Sequence, residues 1–327
     1  RNDVPPEQPV SHYVWNEVWM QVSNVVRDPD GGIDGYDCLS PMAVAKNILT
    51  IGAVDDVKNM TTFSAFGPTD DGRIKPDVTA NGKDVYSSFG SAIDAYANYD
   101  GTSMATASAT GAIALVHNLQ EKVQPGVKLQ SSTVKGLLIH TADESGTSPG
   151  PDYSFGWGIL NLKTACDLIF NNAGNGGKNI SEGIITQGET IIIPVETDAN
   201  APFLKITICW TDPPGVPSDP ALNSRDPKLV NDIDIELENI SNQNKYYPWV
   251  MDVENPGLPA TQGINHVDNV EQIYLPNPGT GNFNLKISHT GNLSGDAQDF
   301  SLIISGISNL SDIVPPWGLK CISDESS

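Results

Sequence analysis

Tyr99-Asp100-Gly101-Thr102-Ser103-Met104-Ala105-Thr106-Ala107 reads as a loop turning into a helix. A glycine, then Thr-Ser, then an apolar run reaching Leu115-Val116 is the pattern of a sharp turn feeding a buried helix. This spacing puts Ser103 in the first helical turn, where unpaired N–H groups and the helix dipole favour negative charge. A hydroxyl that attacks a carbonyl gains from that position, and so does the oxyanion that forms afterwards. Taken alone, Gly-Thr-Ser more often marks a plain helix cap, with Thr102 or Ser103 satisfying the first backbone donors.

The flanking sequence extends the pattern on both sides. Upstream, Ile48 to Val54 (ILTIGAV) is a short apolar run of a buried strand. Before it, residues 1–47 are polar, with Asn16 to Val25 a short strand or helix and Asp28 to Tyr36 a loop. Downstream, Asn118 to Leu129 is a polar connection. Ser131-Ser132 is placed to cap a helix carrying Val134, Leu137, Leu138 and His140. Tyr153 to Leu160, with Gly156 and Gly158 around Trp157, is a tight return into a last short helix, Leu162 to Phe170. Asn171 to Lys178 (NNAGNGGK) is a linker by composition. Beyond it the apolar period becomes two. Strands are expected at Thr190–Glu196, Leu204–Trp210, Ile233–Glu238, Tyr246–Met251, Gln272–Leu275, Asn282–Ser288 and Phe300–Ser305, an antiparallel sandwich.

Composition narrows the function classes. The 327 residues suffice for two domains, and 40 acidic against 18 basic residues give a net charge of -22. That balance argues against a nucleic-acid partner, which needs a basic footprint. No run of about 18 apolar residues marks a membrane span, and no signal peptide opens the sequence. Such acidity suits an exported protein, secreted or at the cell surface, or one with cation sites. The four cysteines, Cys38, Cys166, Cys209 and Cys321, show no Cys-x-x-Cys spacing. Zinc-finger or redox chemistry is therefore not indicated by them. Cys166 and Cys209 fall in helix and strand patterns as small hydrophobes, while Cys38 and Cys321 lie in loops and their pairing is left open.

The nonamer resembles the Gly-Thr-Ser-Met-Ala-Thr/Ser-Pro nucleophile motif of subtilisin-like serine peptidases, the subtilases. Ala107 stands where that family usually has proline, a change a helix tolerates. Two further phrases agree, in the family's order. They are Ala45 to Val54 followed by Phe63-Ser64-Ala65-Phe66-Gly67-Pro68 and Asp71 to Val78, and the Gly-Trp-Gly turn with its closing helix. The likeness covers roughly residues 36–170. It implies an α/β fold, the C-terminal part of a subtilisin-like domain with a parallel sheet and helices, over residues 1–172. The strands of residues 179–307 resemble the C-terminal β-jelly-roll domain of one bacterial branch, through Trp210-Thr211-Asp212-Pro213-Pro214, Leu229 to Asp234, Tyr247-Pro248-Trp249 and Asp268-Asn269-Val270-Glu271. Residues 308–327 then form a tail or linker.

The resemblance implies that Ser103 is a catalytic nucleophile acting on a polypeptide substrate, that Gly101 and Thr102 shape its loop, and that Phe63 walls the primed side of a cleft. Plain core packing is the equal alternative for Phe63. The family's His-Gly-Thr phrase, its strand ending in the catalytic Asp, and its Ala-Gly-Asn oxyanion phrase are not in this sequence. None of His12, His117, His140, His266 and His289 is followed by glycine. The expectation is therefore a chain whose partner is the N-terminal half of the catalytic domain, lying elsewhere, and which is inactive alone. The rival expectation is a catalytically dead, subtilase-derived binding module that uses the sandwich for protein or glycan, the latter resting on fold alone. Calcium, which that branch binds in part in its jelly roll, is expected at Asp232, Asp234, Asp268 and Asn269, hard oxygen donors near strand ends. Turn formation and strand capping are the alternative for the same residues.

Overall fold

The computed structural model describes residues 10–15, 19–25, 36, 38–197, 199–217, 224–307 and 320–321. A hairpin comes first: β1 (Val10–Trp15) pairs antiparallel with β2 (Trp19–Val25), so the stretch expected as strand or helix is strand from Trp19 onward. The loop expected from Asp28 falls outside the described residues except for Tyr36.

The first layered unit is built on two parallel strands, β3 (Ile51–Val54) and β4 (Val78–Asn81), with Ile51 opposite Val78 and Val54 opposite Asn81. Parallel strands are covered on both faces and so read as continuous apolar runs, as ILTIGAV does. A hairpin, β5 (Val85–Ser88) and β6 (Tyr96–Tyr99), leads from β4 into the 22-residue helix α1 (Thr102–Val123). α1 lies close to the strands because the contact is made of small side chains: Ala53, Ala80, Ala105 and Ala109 share one buried cluster. The Gly-Trp-Gly turn threads along the other edge of β4. Trp157 N–H donates to the Asp77 carbonyl at 2.9 Å, and Thr79 N–H donates to Gly158 at 2.9 Å. Gly156 and Gly158 both have positive φ, 65° and 117°. A Cβ would lie 2.1 Å from the Pro76 carbonyl oxygen at Gly156 and 2.2 Å from that of Asp143 at Gly158. Only glycine fits either position.

Helix α2 (Ser131–His140) is buried along nearly its whole length, and α3 (Leu162–Gly174) follows. The expected Ser131-Ser132 cap is not made. Gln130 is the N-cap residue, without a side-chain bond, and Ser132 Oγ pairs instead with Ser301 Oγ at 2.8 Å. Nor does the expected linker begin at Asn171, since α3 runs on to Gly174.

The second unit is two antiparallel sheets around one core. Its strands are β7 (Ile180–Thr186), β8 (Ile191–Thr197), β9 (Phe203–Cys209), β10 (Asp232–Asn239), β11 (Lys245–Tyr246), β12 (Trp249–Val250), β13 (Thr261–Gln262), β14 (Val270–Pro276), β15 (Gly281–Thr290), β16 (Ala297–Ser305) and β17 (Lys320–Cys321). One sheet runs β11-β10-β15-β8 and the other β14-β9-β16-β7-β17, with β12 and β13 a separate pair. Ile191, Ile193, Ile233, Ile235, Leu285 and Ile287 of the first sheet meet Leu204, Ile206, Ile208, Ile273, Phe300 and Leu302 of the second in one buried cluster. The period-two pattern predicts these faces. It misses β7, whose ISEGIIT sequence does not alternate cleanly, and it runs together β11 and β12, which Tyr247 and Pro248 separate.

The two units share interior. Gly136 of α2 approaches β9 and β16 so closely that a Cβ would lie 2.8 Å from Ile303 Cδ1 and 3.0 Å from Cys209 Cβ. Cys209 and Val270 belong to the cluster under α1, and Ile180 and Ile303 to the cluster under α2 and α3.

Candidate active site

The loop that presents Ser103 is fixed at its base. Gly82, just past β4, donates its N–H to Val54 at 2.9 Å and accepts from Gly101 N–H at 2.8 Å. Asp100 Oδ1 accepts the Asp84 N–H at 2.7 Å, which closes the hairpin end. Gly101 adopts φ 154° and ψ 156°, a region essentially reserved for glycine. Its carbonyl accepts from Met104 N at 3.0 Å and Ala105 N at 3.3 Å, which starts the helix. The N–H groups of Thr102 and Ser103 are therefore left without an intrahelical acceptor. No side chain caps α1, and no acidic residue occupies its first turn. Ser103 is exposed and Ala105 behind it fully buried, so the hydroxyl stands at a rigid, locally positive helix start. The plain cap reading fails for both hydroxyl residues, because the cap position belongs to Gly101. Thr102 instead contributes its carbonyl, which accepts from Thr106 Oγ1 at 2.9 Å.

The described histidines have other tasks. His140 is buried, with Nδ1 2.9 Å from Thr207 Oγ1 and Nε2 2.8 Å from Ser305 Oγ. Burial, and then the nearby Lys205 charge, hold its pKa well below the ordinary imidazole value. His117 lies on α1 itself, about 21 Å from Ser103 along the axis at 1.5 Å per residue. His266 faces Asp232, and His289 accepts the Gly188 N–H at Nε2, 2.7 Å away. The His12 side chain lies outside the described residues. Phe63 is half-buried and packs against the cluster of Ile51, Ala53 and Ala105.

The expected cation residues divide into two groups. Asp232 and Asp234, two apart on β10, lie on one face with His266, and one donor atom from each of the three falls within 4.8 Å of the others. Burial, reinforced by Asp234, pushes the Asp232 carboxyl up to about 6, and burial raises Asp234 as well. Asp268 and Asn269 are not brought into that group. Asp268 Oδ1 accepts the Ile74 N–H at 2.9 Å and Oδ2 accepts from Asn265 Nδ2 at 3.0 Å. Burial nonetheless pushes Asp268 up to about 6. Asn269 Nδ2 donates to the Trp210 carbonyl at 2.7 Å and to Asn47 Oδ1 at 3.0 Å. Both residues join the second unit to the first. His266 is the residue the sequence reading missed; its signal was position, two residues before Asp268 in one polar loop.

A helix start of this kind, offering a serine from a glycine-locked loop beside a buried parallel strand pair, has the geometry that a hydroxyl nucleophile and its oxyanion can use. Residues 34–158 match the model of the subtilase family, and over that segment the chain belongs to the subtilase family of peptidases. It is 30% identical over 276 residues to the serine protease/ABC transporter B family protein tagA of Dictyostelium discoideum, a match covering 74% of this chain and 15% of that protein. It is 32% identical over 119 residues to subtilisin DY of Bacillus licheniformis, covering 36% of this chain and 37% of that one. Among solved structures, the prenylagaramide maturation protease PagA matches at 30% identity over 41% of this chain and 46% of that chain, with a TM-score of 0.35. The chain spans 15% and 18% of the length of the first two curated relatives it matches.

Proposed function

We propose that this chain is part of a serine endopeptidase in which Ser103 attacks the scissile carbonyl and carries the acyl group, with its general base and the orienting carboxylate supplied by polypeptide outside these residues. The observation that carries the reading is the exposed Ser103 at the glycine-locked start of α1, within the segment that matches the subtilases. A serine hydroxyl is a weak nucleophile without a base to take its proton, and loss of a triad member costs on the order of 10⁴-fold or more. None of the described histidines hydrogen bonds to Ser103, so the isolated chain is proposed to be inert. Gly101 and Thr102 supply backbone at the oxyanion side, and Phe63 offers an apolar wall to the substrate. The two-sheet unit is read as a jelly roll that props α2, and secretion or cell-surface display is the setting proposed for so acidic a chain.

Peptide hydrolysis tests the reading. The expected result is turnover of an unstructured polypeptide by the longer protein that contains this chain, abolished by Ser103→Ala, and none by residues 1–327 alone. Turnover that survives Ser103→Ala in the longer protein overturns it.

A further inference from the structure

Outside the nucleophile loop, the described residues leave three buried side-chain oxygens without a hydrogen-bond partner: Asp232 Oδ1, Asp234 Oδ1 and Glu271 Oε1. All three belong to one corner of the two-sheet unit. Asp232 and Asp234 are two apart on β10, so they share a face while Ile233 and Ile235 turn into the core. Glu271 reaches across from β14, where its Oε2 accepts the Ile235 N–H at 2.9 Å, and it is fully buried. Buried polar atoms are paired in the great majority of cases, and an unpaired carboxylate oxygen carries a large desolvation cost. Three such oxygens lie in one corner, and none elsewhere among the described residues, so a positive partner would gain most there.

His266 supplies the remaining donor. Its Nδ1 is 2.7 Å from Asp232 Oδ2 and 4.0 Å from Asp234 Oδ1, and its side chain is 53% exposed against 16% and 19% for the two aspartates. The imidazole thus lies on the solvent side of the two carboxylates. We propose that Asp232, Asp234 and His266 bind a divalent cation of the zinc class, with Glu271 as the buried carboxylate behind them. Two donors each about 2.1 Å from one ion are at most about 4.2 Å apart, so donors already within 4.8 Å need only small side-chain rotations to converge. An imidazole nitrogen with two carboxylates suits zinc and its first-row neighbours. Calcium takes six to eight ligands, all oxygen. Three protein ligands leave a fourth position open to water on the exposed His266 side. Support from behind is present: Thr290 Oγ1 donates to Asp234 Oδ2 at 2.8 Å, which fixes the orientation of that carboxylate.

The bound ion would tie the His266 loop to the start of β10. The same loop carries Asp268 and Asn269, which hold Ile74 and Asn47 of the first unit, so occupancy would tighten the join between the units. The site is independent of the reading of Ser103.

The test is calorimetric titration of the chelator-treated 327-residue chain with Zn²⁺ and, separately, Ca²⁺, alongside His266→Ala and Asp234→Asn. His266→Ala changes an exposed side chain, and its far-UV circular dichroism checks that it folds. The expected result is saturation by one equivalent of Zn²⁺, a raised melting temperature, and at least a tenfold weaker affinity in each variant. No saturation by Zn²⁺, Zn²⁺ binding unchanged by His266→Ala, or Ca²⁺ alone saturating the site would each overturn the proposal.

Discussion

Replacing Gly82 with alanine tests how the Ser103 loop is held. Gly82 sits between the end of β3 and the start of α1, donating to Val54 and accepting from Gly101. A Cβ there would lie 2.6 Å from the Gly101 carbonyl oxygen, 2.9 Å from Ala53 Cβ and 3.1 Å from Ala105 Cβ. Ordinary contact is about 3.5–4.0 Å, so the Gly101 carbonyl must retreat by about 1 Å. None of the three neighbours is a flexible side-chain end that can swing aside. Overpacking of this kind costs about 1–3 kcal/mol. The Gly101 carbonyl also receives the first two α1 hydrogen bonds, so its retreat carries the Ser103 turn with it. The assay is equilibrium denaturation in guanidinium chloride followed by tryptophan fluorescence. Gly111→Ala is the matched control, because Gly111 is exposed on α1 with nothing within 4 Å of an added Cβ. Its exchange should stabilise by up to about 1 kcal/mol through helix propensity. If Gly82→Ala proves no more destabilising than Gly111→Ala, the close packing of α1 on the strands is not what fixes the loop.

Three other outcomes follow from the same geometry. Lys46→Ala strips the ammonium from Asp212, whose side chain is completely buried, and should cost about 3–5 kcal/mol in a denaturation measurement; a loss under about 1 kcal/mol would show that water reaches the pair. His140 is held neutral in the fold, so below about pH 6.5 the unfolded chain takes up a proton the folded chain refuses, and stability falls by about 1.4 kcal/mol per pH unit until the lowered folded pKa is reached. Denaturation between pH 6.5 and 5 should show that slope reduced in His140→Gln, and parallel curves would contradict it. Gly101→Ala should cost about 1–3 kcal/mol through backbone strain alone, since the nearest atom to the new Cβ is Met104 Sδ at 3.5 Å; an unchanged denaturation midpoint would contradict it.

Much of the fold was legible because the apolar periods are clean. ILTIGAV predicts a buried strand, of which Ile51–Val54 is strand; GTSMATASATGAIALV predicts a helix, which runs on to Val123 through part of the stretch expected as a polar connection from Asn118; and the alternating segments β8, β10 and β15 predict a half-buried face, as observed. The place of Ser103 in the first turn of a helix was legible for a local reason: glycine before a helix start is a short-range signal. What failed was long-range. Ser132 is engaged by Ser301, 169 residues away, rather than by its own helix end. The near-complete burial of the Ser131–His140 helix comes from β9 and β16 closing over it, contacts that no local pattern announces. Asp268 and Asn269 carry the donor chemistry of a cation site, yet the packing of Ile74 and Asn47 against their loop claims them first. His266 shows the reverse, a residue without a local motif that the fold brings beside two aspartates 34 and 32 positions upstream.

The claim on which the account turns is that Ser103 is a hydroxyl built to be acylated and short only of a base. Treatment of the longer protein with a fluorophosphonate, followed by mass mapping of the adduct, tests it most directly. The account predicts one adduct, on the peptide containing Ser103, with the 327-residue chain alone left unmodified under the same conditions. An adduct on another serine of the longer protein, or rapid modification of Ser103 in the isolated chain, would contradict it.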